Sequence, residues 1–181
     1  MRTFKTEGII LRRRNFKDAD RILTILTKDH GKLVIRASGI RRIPSRRSAH
    51  VELLNHCLVT LYQGHAFPIL TEAQTLDSFS LIKEDLDKIG HAYHLCELVD
   101  GLCAENQENR QVFNLVYATL TQLSESLNAK ELLHTFQTEL LSMLGFWNKQ
   151  EFLAKEMDMD RFVETIMERK LKSKAIFSRF S

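Results

Sequence analysis

The chain is poor in the residues that build covalent staples, flexible linkers and membrane spans. Its three cysteines, Cys57, Cys96 and Cys103, are an odd number with no Cys-x-x-Cys spacing, which argues against a disulfide framework or a cysteine-based zinc site and for a reducing compartment. Two prolines and seven glycines in 181 residues leave no long flexible linker. No apolar run approaches the roughly 18 residues of a membrane-spanning helix, and Arg2, Lys5 and Glu7 interrupt any leader-like stretch at the start. The expectation is a soluble intracellular protein without a membrane partner. Catalytic serine and cysteine signatures and glycine-rich phosphate loops are missing too, so no enzyme and no cofactor is expected.

Residues 51–80 lack Lys and Arg altogether, and this gap draws attention to how charge is sorted. The first fifty residues hold fourteen Lys or Arg against four Asp or Glu, in a chain whose formal net charge is only +3. Residues 81–168 carry seven bases and sixteen acids, and residues 169–181 five bases and no acid. A basic end, an acidic middle and a basic tail imply one surface suited to a polyanion, with nucleic acid the natural candidate, and another suited to something else.

Up to Ser80 the chain reads as five short strands, at residues 8–11, 21–27, 32–37, 57–62 and 68–79. They are separated by turn signals such as Lys28-Asp29-His30-Gly31 and Gln63-Gly64-His65. Five strands in that length suit a small closed barrel, and alternation in the third turns Leu33, Ile35 and Ala37 inward and Lys32, Val34 and Arg36 outward. Beyond Ser80 the period becomes helical, predicting helices at 81–103, 109–123, 129–144 ending at Gly145, and 160–169. The fold class is therefore α+β: a barrel domain at 1–80 and a helical bundle with a basic tail at 81–181.

The most specific segment is Gly39-Ile40-Arg41-Arg42-Ile43-Pro44-Ser45-Arg46-Arg47, at the end of a barrel strand. Pro44 stops the strand and leaves a basic loop whose guanidinium forks match phosphate oxygens. With Arg12, Arg13, Arg14, Lys32 and Arg36 from the same domain, Arg41, Arg42, Arg46 and Arg47 form the expected nucleic-acid contact set. Phe16, Tyr62 and Phe67 are candidate stacking platforms that serve equally well as core or rim residues. His91-x-x-His94 falls near Cys96 and Cys103, but helical spacing turns those thiols away, so no metal site is expected. Asp18 and Asp20 sit among Lys17 and Arg21, where salt bridging explains them better than a nuclease carboxylate pair. In the tail, Leu171, Ile176, Phe177 and Phe180 can dock the chain's end while the cations stay wet.

With these segments assembled, the chain resembles the RecO family of bacterial recombination mediators. Residues 5–12, Asp18-Ala19-Asp20-Arg21-Ile22-Leu23-Thr24, and Thr27 through His30-Gly31-Lys32 look like that family's first three strands. Ala37-Ser38-Gly39-Ile40-Arg41-Arg42 with Ser45-Arg46 resembles its basic loop. Glu97-Leu98-Val99-Asp100, Phe136 through Leu144-Gly145-Phe146, and Leu171-Lys172-Ser173 with Phe177 resemble its helical core and closing segment. The resemblance implies an OB fold before a helical domain, binding to single- and double-stranded DNA, annealing of complementary strands, and a cytoplasmic, nucleoid-associated place in homologous-recombination repair. It implies RecR and the tail of single-strand binding protein as partners, with RecA loaded indirectly. Many relatives carry a longer, often zinc-binding insert after the Leu-Gly-aromatic motif, which this chain replaces with a short stretch devoid of Cys. His134 and Thr135 stand where many relatives have arginines. Two other classes fit the residues: a protein-interaction adaptor with incidental DNA affinity, and an RNA-binding OB protein, which a 2′-hydroxyl would distinguish.

Overall fold

Five strands, β1 (Thr3–Phe16), β2 (Asp20–Thr27), β3 (Gly31–Ala37), β4 (His56–Tyr62) and β5 (Ile69–Asp77), close into a barrel in the order β1-β2-β3-β5-β4. The structure is a computed structural model and describes residues 3–43, 45–146 and 158–173. All pairings are antiparallel except β3 with β5, which meet in parallel at Arg36 and Ile69. This is the topology of an OB fold. β1 is longer than its apolar run because it pairs along its first half with β4 and along its second with β2, and a register shift between Ile10 and Arg12 lets it turn the corner. The interior is filled by Ile10, Leu23, Ile25, Leu33, Ile35, Ala37, Val59, Leu61 and Leu70, with Ile40 and Val51 from the connection between β3 and β4.

The described chain groups into two compact units, one of Met1–Phe79 with Ala104–Phe113 and one of Ser80–Cys103 with Asn114–Ser181. Within the first, the returning segment supplies something the strand pattern does not contain. Since β3 and β5 pair only at Arg36, the start of β3 needs another partner on that side. Asn106 N–H donates to the Lys32 carbonyl at 2.8 Å, and Glu105 bridges Lys32 in parallel. Lys32, expected as an outward cation, is therefore only 6% exposed and does not belong to the outer basic face. Arg110 Nη2 to Asp29 Oδ1, 2.6 Å, and the edge of Phe113 on His56 hold the same segment down.

Gly31 is dictated by that approach. Its φ is +69°, and an added Cβ would stand 1.9 Å from the Gln107 carbonyl oxygen. We expect Gly31→Ala to cost ~3 kcal/mol, read as a lower denaturant midpoint at unchanged slope, because strain at positive φ adds to displacement of a backbone carbonyl.

The second unit is helical: α1 (Ser80–Lys83), α2 (Leu86–Leu102), α3 (Arg110–Glu125), α4 (Ala129–Met143) and α5 (Met159–Met167) among the described residues. The first turn of α3 is grouped with the barrel. The expected helix at 81–103 is broken in two because the Asp85 carboxylate accepts the N–H groups of Asp87 and Lys88, at 2.9 and 3.2 Å, and starts a new helix. α2 then buries most of its circumference, Ala92, Leu95, Cys96, Leu98 and Val99 with His91 and His94, as the central helix against which α4 and α5 pack. α4 ends as anticipated: Gly145 has φ +76°, its N–H reaches Ser142 O at 3.1 Å, and Phe146 N–H reaches Leu141 O at 3.0 Å.

A connected chain of polar groups runs through this unit. Glu97 accepts from Lys172 N and Ser173 N, both 2.9 Å, and from Ser173 Oγ at 2.8 Å. Because Ser173 gives its only hydroxyl hydrogen to a carboxylate, His94 Nδ1, 2.6 Å from the same oxygen, must donate, and His94 Nε2 must accept from Gln137 Nε2 at 3.0 Å. The second amide hydrogen of Gln137 goes to Asp160 Oδ1, also 3.0 Å. His91 is engaged with Asp87 O at 2.8 Å, so both histidines are packed structural groups. No metal-ligating cluster occurs among the described residues. Burial pushes the Cys57 and Cys96 thiols up to about 12, leaving them inert. Leu171 and Ser173 are buried, so the closing segment docks at this point; Ile176, Phe177 and Phe180 lie outside the described residues.

Candidate nucleic-acid interface

The connection from β3 to β4 leaves the barrel after Ala37, turns at Gly39 (φ +65°), buries Ile40 and then carries Arg41, Arg42 and Arg46 into solvent. Its position is fixed by backbone and by one acid. Arg41 N–H donates to Ala19 O at 2.9 Å and its Nη1 lies 3.4 Å from Lys17 O, tying the loop to the β1–β2 turn. Asp20, its side chain 12% exposed, accepts the Gly39 N–H at 2.8 Å and both Nε and Nη2 of Arg36, at 2.9 and 2.6 Å. The Gly39 N–H and then the Arg36 guanidinium hold the Asp20 carboxyl below its ordinary value, outweighing its burial. Asp20 was expected to pair with Lys17 or Arg21; instead it lies beneath the loop, and Arg21 turns to Asn15 and Glu52. Pro44 is outside the described residues.

Arg47 is a structural clamp. Its Nη1 donates to Leu70 O at 2.7 Å and its Nη2 to Ser38 O at 2.9 Å, joining the end of the loop to β5 and to the loop's own start. Arg47→Ala should lower stability by ~2 kcal/mol in a thermal melt, with Arg47→Lys recovering less than half, since one ammonium cannot span two carbonyls. Arg46→Ala should leave the melt unmoved.

Asp20, Ser38, Gly39, Arg42, Ser45, Arg46 and Arg47 line an open concavity of about 520 Å³. Alternation divides the Arg12-Arg13-Arg14 run. Arg12 and Arg14 are exposed on one face of β1, opposite Thr24 and Ile22, while Arg13 turns the other way and pairs with Glu52. Ile22 is in turn opposite Arg36, which places Arg14 and Arg36 on one rung of the sheet, roughly 10 Å apart by strand spacing.

Of the nine cations expected, Arg12, Arg14, Arg41, Arg42 and Arg46 thus face solvent, Arg13, Arg36 and Arg47 serve internal contacts, and Lys32 is covered. No carboxylate is paired with Arg14, Arg42 or Arg46 among the described residues. Lys17, exposed in the turn that supports Arg41, is an additional cation that the sequence pattern did not single out. Phe16 lies under Arg36, 5.8 Å from centroid to guanidinium, and so braces the site. Tyr62 and Phe67 are 36% and 42% exposed at the connection from β4 to β5, a neighbourhood joined to β3 by Arg36 N–H on Pro68 O at 2.9 Å.

A closed OB barrel bearing a braced arginine loop, followed in sequence by a helical unit, defines the class of protein at the level of architecture. Comparison with known proteins narrows it. The Recombination protein O N-terminal family model matches residues 1–79 and the C-terminal model residues 83–147. The chain belongs to the RecO family. It is 36% identical over 147 residues to the DNA repair protein RecO of Symbiobacterium thermophilum, covering 81% of this chain and 58% of that protein. To the DNA repair protein RecO of a Roseiflexus species it is 37% identical over 145 residues, 80% of this chain and 51% of the relative. To that of Listeria monocytogenes it is 27% identical over 143 residues, 79% and 56% respectively. The chain thus spans little more than half the length of the curated relatives it matches. No described helix is long and apolar enough to cross a membrane.

Proposed function

We propose that this chain binds DNA through Arg12, Arg14, Arg41, Arg42 and Arg46 and anneals complementary single strands in recombinational repair, turning over no substrate. The observation that carries the reading is the loop at residues 39–47. Its exposed Arg42 and Arg46 line one concavity with Asp20 and Arg47 and are paired with no carboxylate among the described residues, while the exposed Arg41 is tied to the β1–β2 turn through Ala19 O and Lys17 O. Guanidinium groups set this way offset the repulsion between two phosphate backbones and leave base edges free to pair. Membership of a family whose relatives are named DNA repair proteins supports the same reading. In this role the chain acts with RecR and with the tail of single-strand binding protein, and assists the loading of RecA.

The test is annealing of complementary strands coated with single-strand binding protein, with a parallel binding titration across salt. Annealing should accelerate on addition of the chain, and log affinity should fall linearly with log salt at roughly −0.7 per phosphate engaged on a single strand. A flat salt response, or an RNA strand outcompeting DNA of equal sequence, would refute the reading.

A further inference from the structure

The basic loop presents one residue that phosphate contact leaves unexplained. Ile43 is 103% exposed, as open as in an extended peptide, at the tip of the arginine loop. The tip is braced on both sides. Ile40 is fully buried and Arg41 N–H is held by Ala19 O; Arg42 N–H reaches Gly39 O at 3.2 Å; Ser45 N–H returns to Arg42 O at 2.9 Å, closing a turn at Ile43; and Arg47 clamps the far leg. Single exposed aliphatics are ordinary on protein surfaces. What sets this one apart is its place on a fixed turn between cations, Arg41 and Arg42 before it and Arg46 after it, all three exposed.

From this geometry we infer that Ile43 is a wedge that enters between two neighbouring bases of the bound strand and opens one step of their stack. The inference rests on the proposed grip of the loop on DNA and adds a second contact to it. An aliphatic side chain can form no hydrogen bond to phosphate or sugar. The largest apolar surface that a nucleic acid offers is the faces of its bases, and apolar wedges reach those faces by separating a base step. Arginines on either side hold the backbone while the tip enters, and the turn prevents the side chain from folding back on the barrel. A base step opened in this way breaks local single-strand structure that would compete with pairing to a complement.

The measurement uses a single strand carrying 2-aminopurine between adenines, whose fluorescence rises when stacking is lost. The full chain should raise the signal by about twofold or more on binding. Ile43→Ser should weaken binding by no more than about threefold, because the phosphate contacts remain, keep its salt slope, and lose most of the fluorescence gain; Ile43→Leu should restore it. If Ile43→Ser binds and gives the full gain, the wedge is wrong and the grip stands. If the unsubstituted chain binds without any gain, the wedge is equally wrong. If the unsubstituted chain fails to bind the strand at all, the grip itself fails and the wedge falls with it. The Ile43 variants should melt at the temperature of the unsubstituted chain, since the side chain touches no part of the core.

Discussion

Reversing Arg41, Arg42 and Arg46 together to Glu should weaken single-strand binding by about two orders of magnitude or more near 0.1 M salt, reduce the magnitude of the salt slope by about 2, and abolish annealing. Three positive charges become three negative ones within one loop, so the strand loses three sites of counterion release and meets repulsion in their place. Folding should survive. All three side chains are exposed, and the loop's bonds through Arg41 N–H and Arg42 N–H are backbone bonds that Glu retains. Adding Arg47 to the set would spoil the experiment, because a carboxylate there would face the carbonyl oxygens of Leu70 and Ser38 and the loop would detach for reasons unrelated to DNA. Gel-shift titration and strand-pairing kinetics at matched salt, with a thermal melt as control, decide the matter. A triple variant that still anneals would move the interface off this loop.

The contrast between Arg46 and Arg47 shows what a sequence can and cannot disclose here. Strand period placed Leu33, Ile35 and Ala37 in the core, and the helical period found the buried faces of α3 and α4, because burial leaves a repeating mark on residue type. A guanidinium that satisfies backbone carbonyls leaves none, since its partners are main-chain atoms whose side chains say nothing about the contact. Charge counting therefore grouped Arg36 and Arg47 with the solvent-facing arginines. The same limit hid the cover over Lys32, which comes from residues 105 and 106, more than seventy positions further along the sequence than Lys32 itself. The division of Arg12, Arg13 and Arg14 between two faces was in principle legible from alternation, given the length of β1. That length came from pairing with two strands, which the local apolar run did not reveal. Asp20 is intermediate: its acid was visible, but its partner Arg36 becomes adjacent only when β2 and β3 pair.

Glu97→Ala should be the most damaging single change in the helical unit, lowering stability by ~3 kcal/mol at neutral pH. The Glu97 carboxylate, its side chain 12% exposed, is the acceptor for two backbone N–H groups and a hydroxyl, and Arg169 Nη1 stands 3.6 Å away. Removing it leaves the part-buried N–H and hydroxyl of Ser173 without their acceptor, along with the exposed Lys172 N–H. The loss also propagates: with no carboxylate to accept its hydrogen, Ser173 can turn to His94 Nδ1, which would force the ring's proton to Nε2, opposite the donating amide of Gln137. Glu97→Gln should recover part of the loss, since its carbonyl oxygen still accepts one N–H. The effect depends on pH in a definite sense. Burial pushes the Glu97 carboxyl up, but the Lys172 and Ser173 hydrogen bonds and the Arg169 charge together outweigh it and hold the group below its ordinary value of 4.5. A carboxylate depressed in the folded state contributes stability that is fully present above that ordinary value and is lost as pH falls through the lower folded-state value. The stability gap between the unsubstituted chain and Glu97→Ala should accordingly be widest near neutrality and narrow progressively below pH 4.5. Asp20→Asn run in parallel separates the barrel's own acid-sensitive carboxylate from this one, because its pKa is depressed as well. A gap that stays constant into acid would mean that the closing segment docks through Leu171 alone, with the carboxylate a bystander.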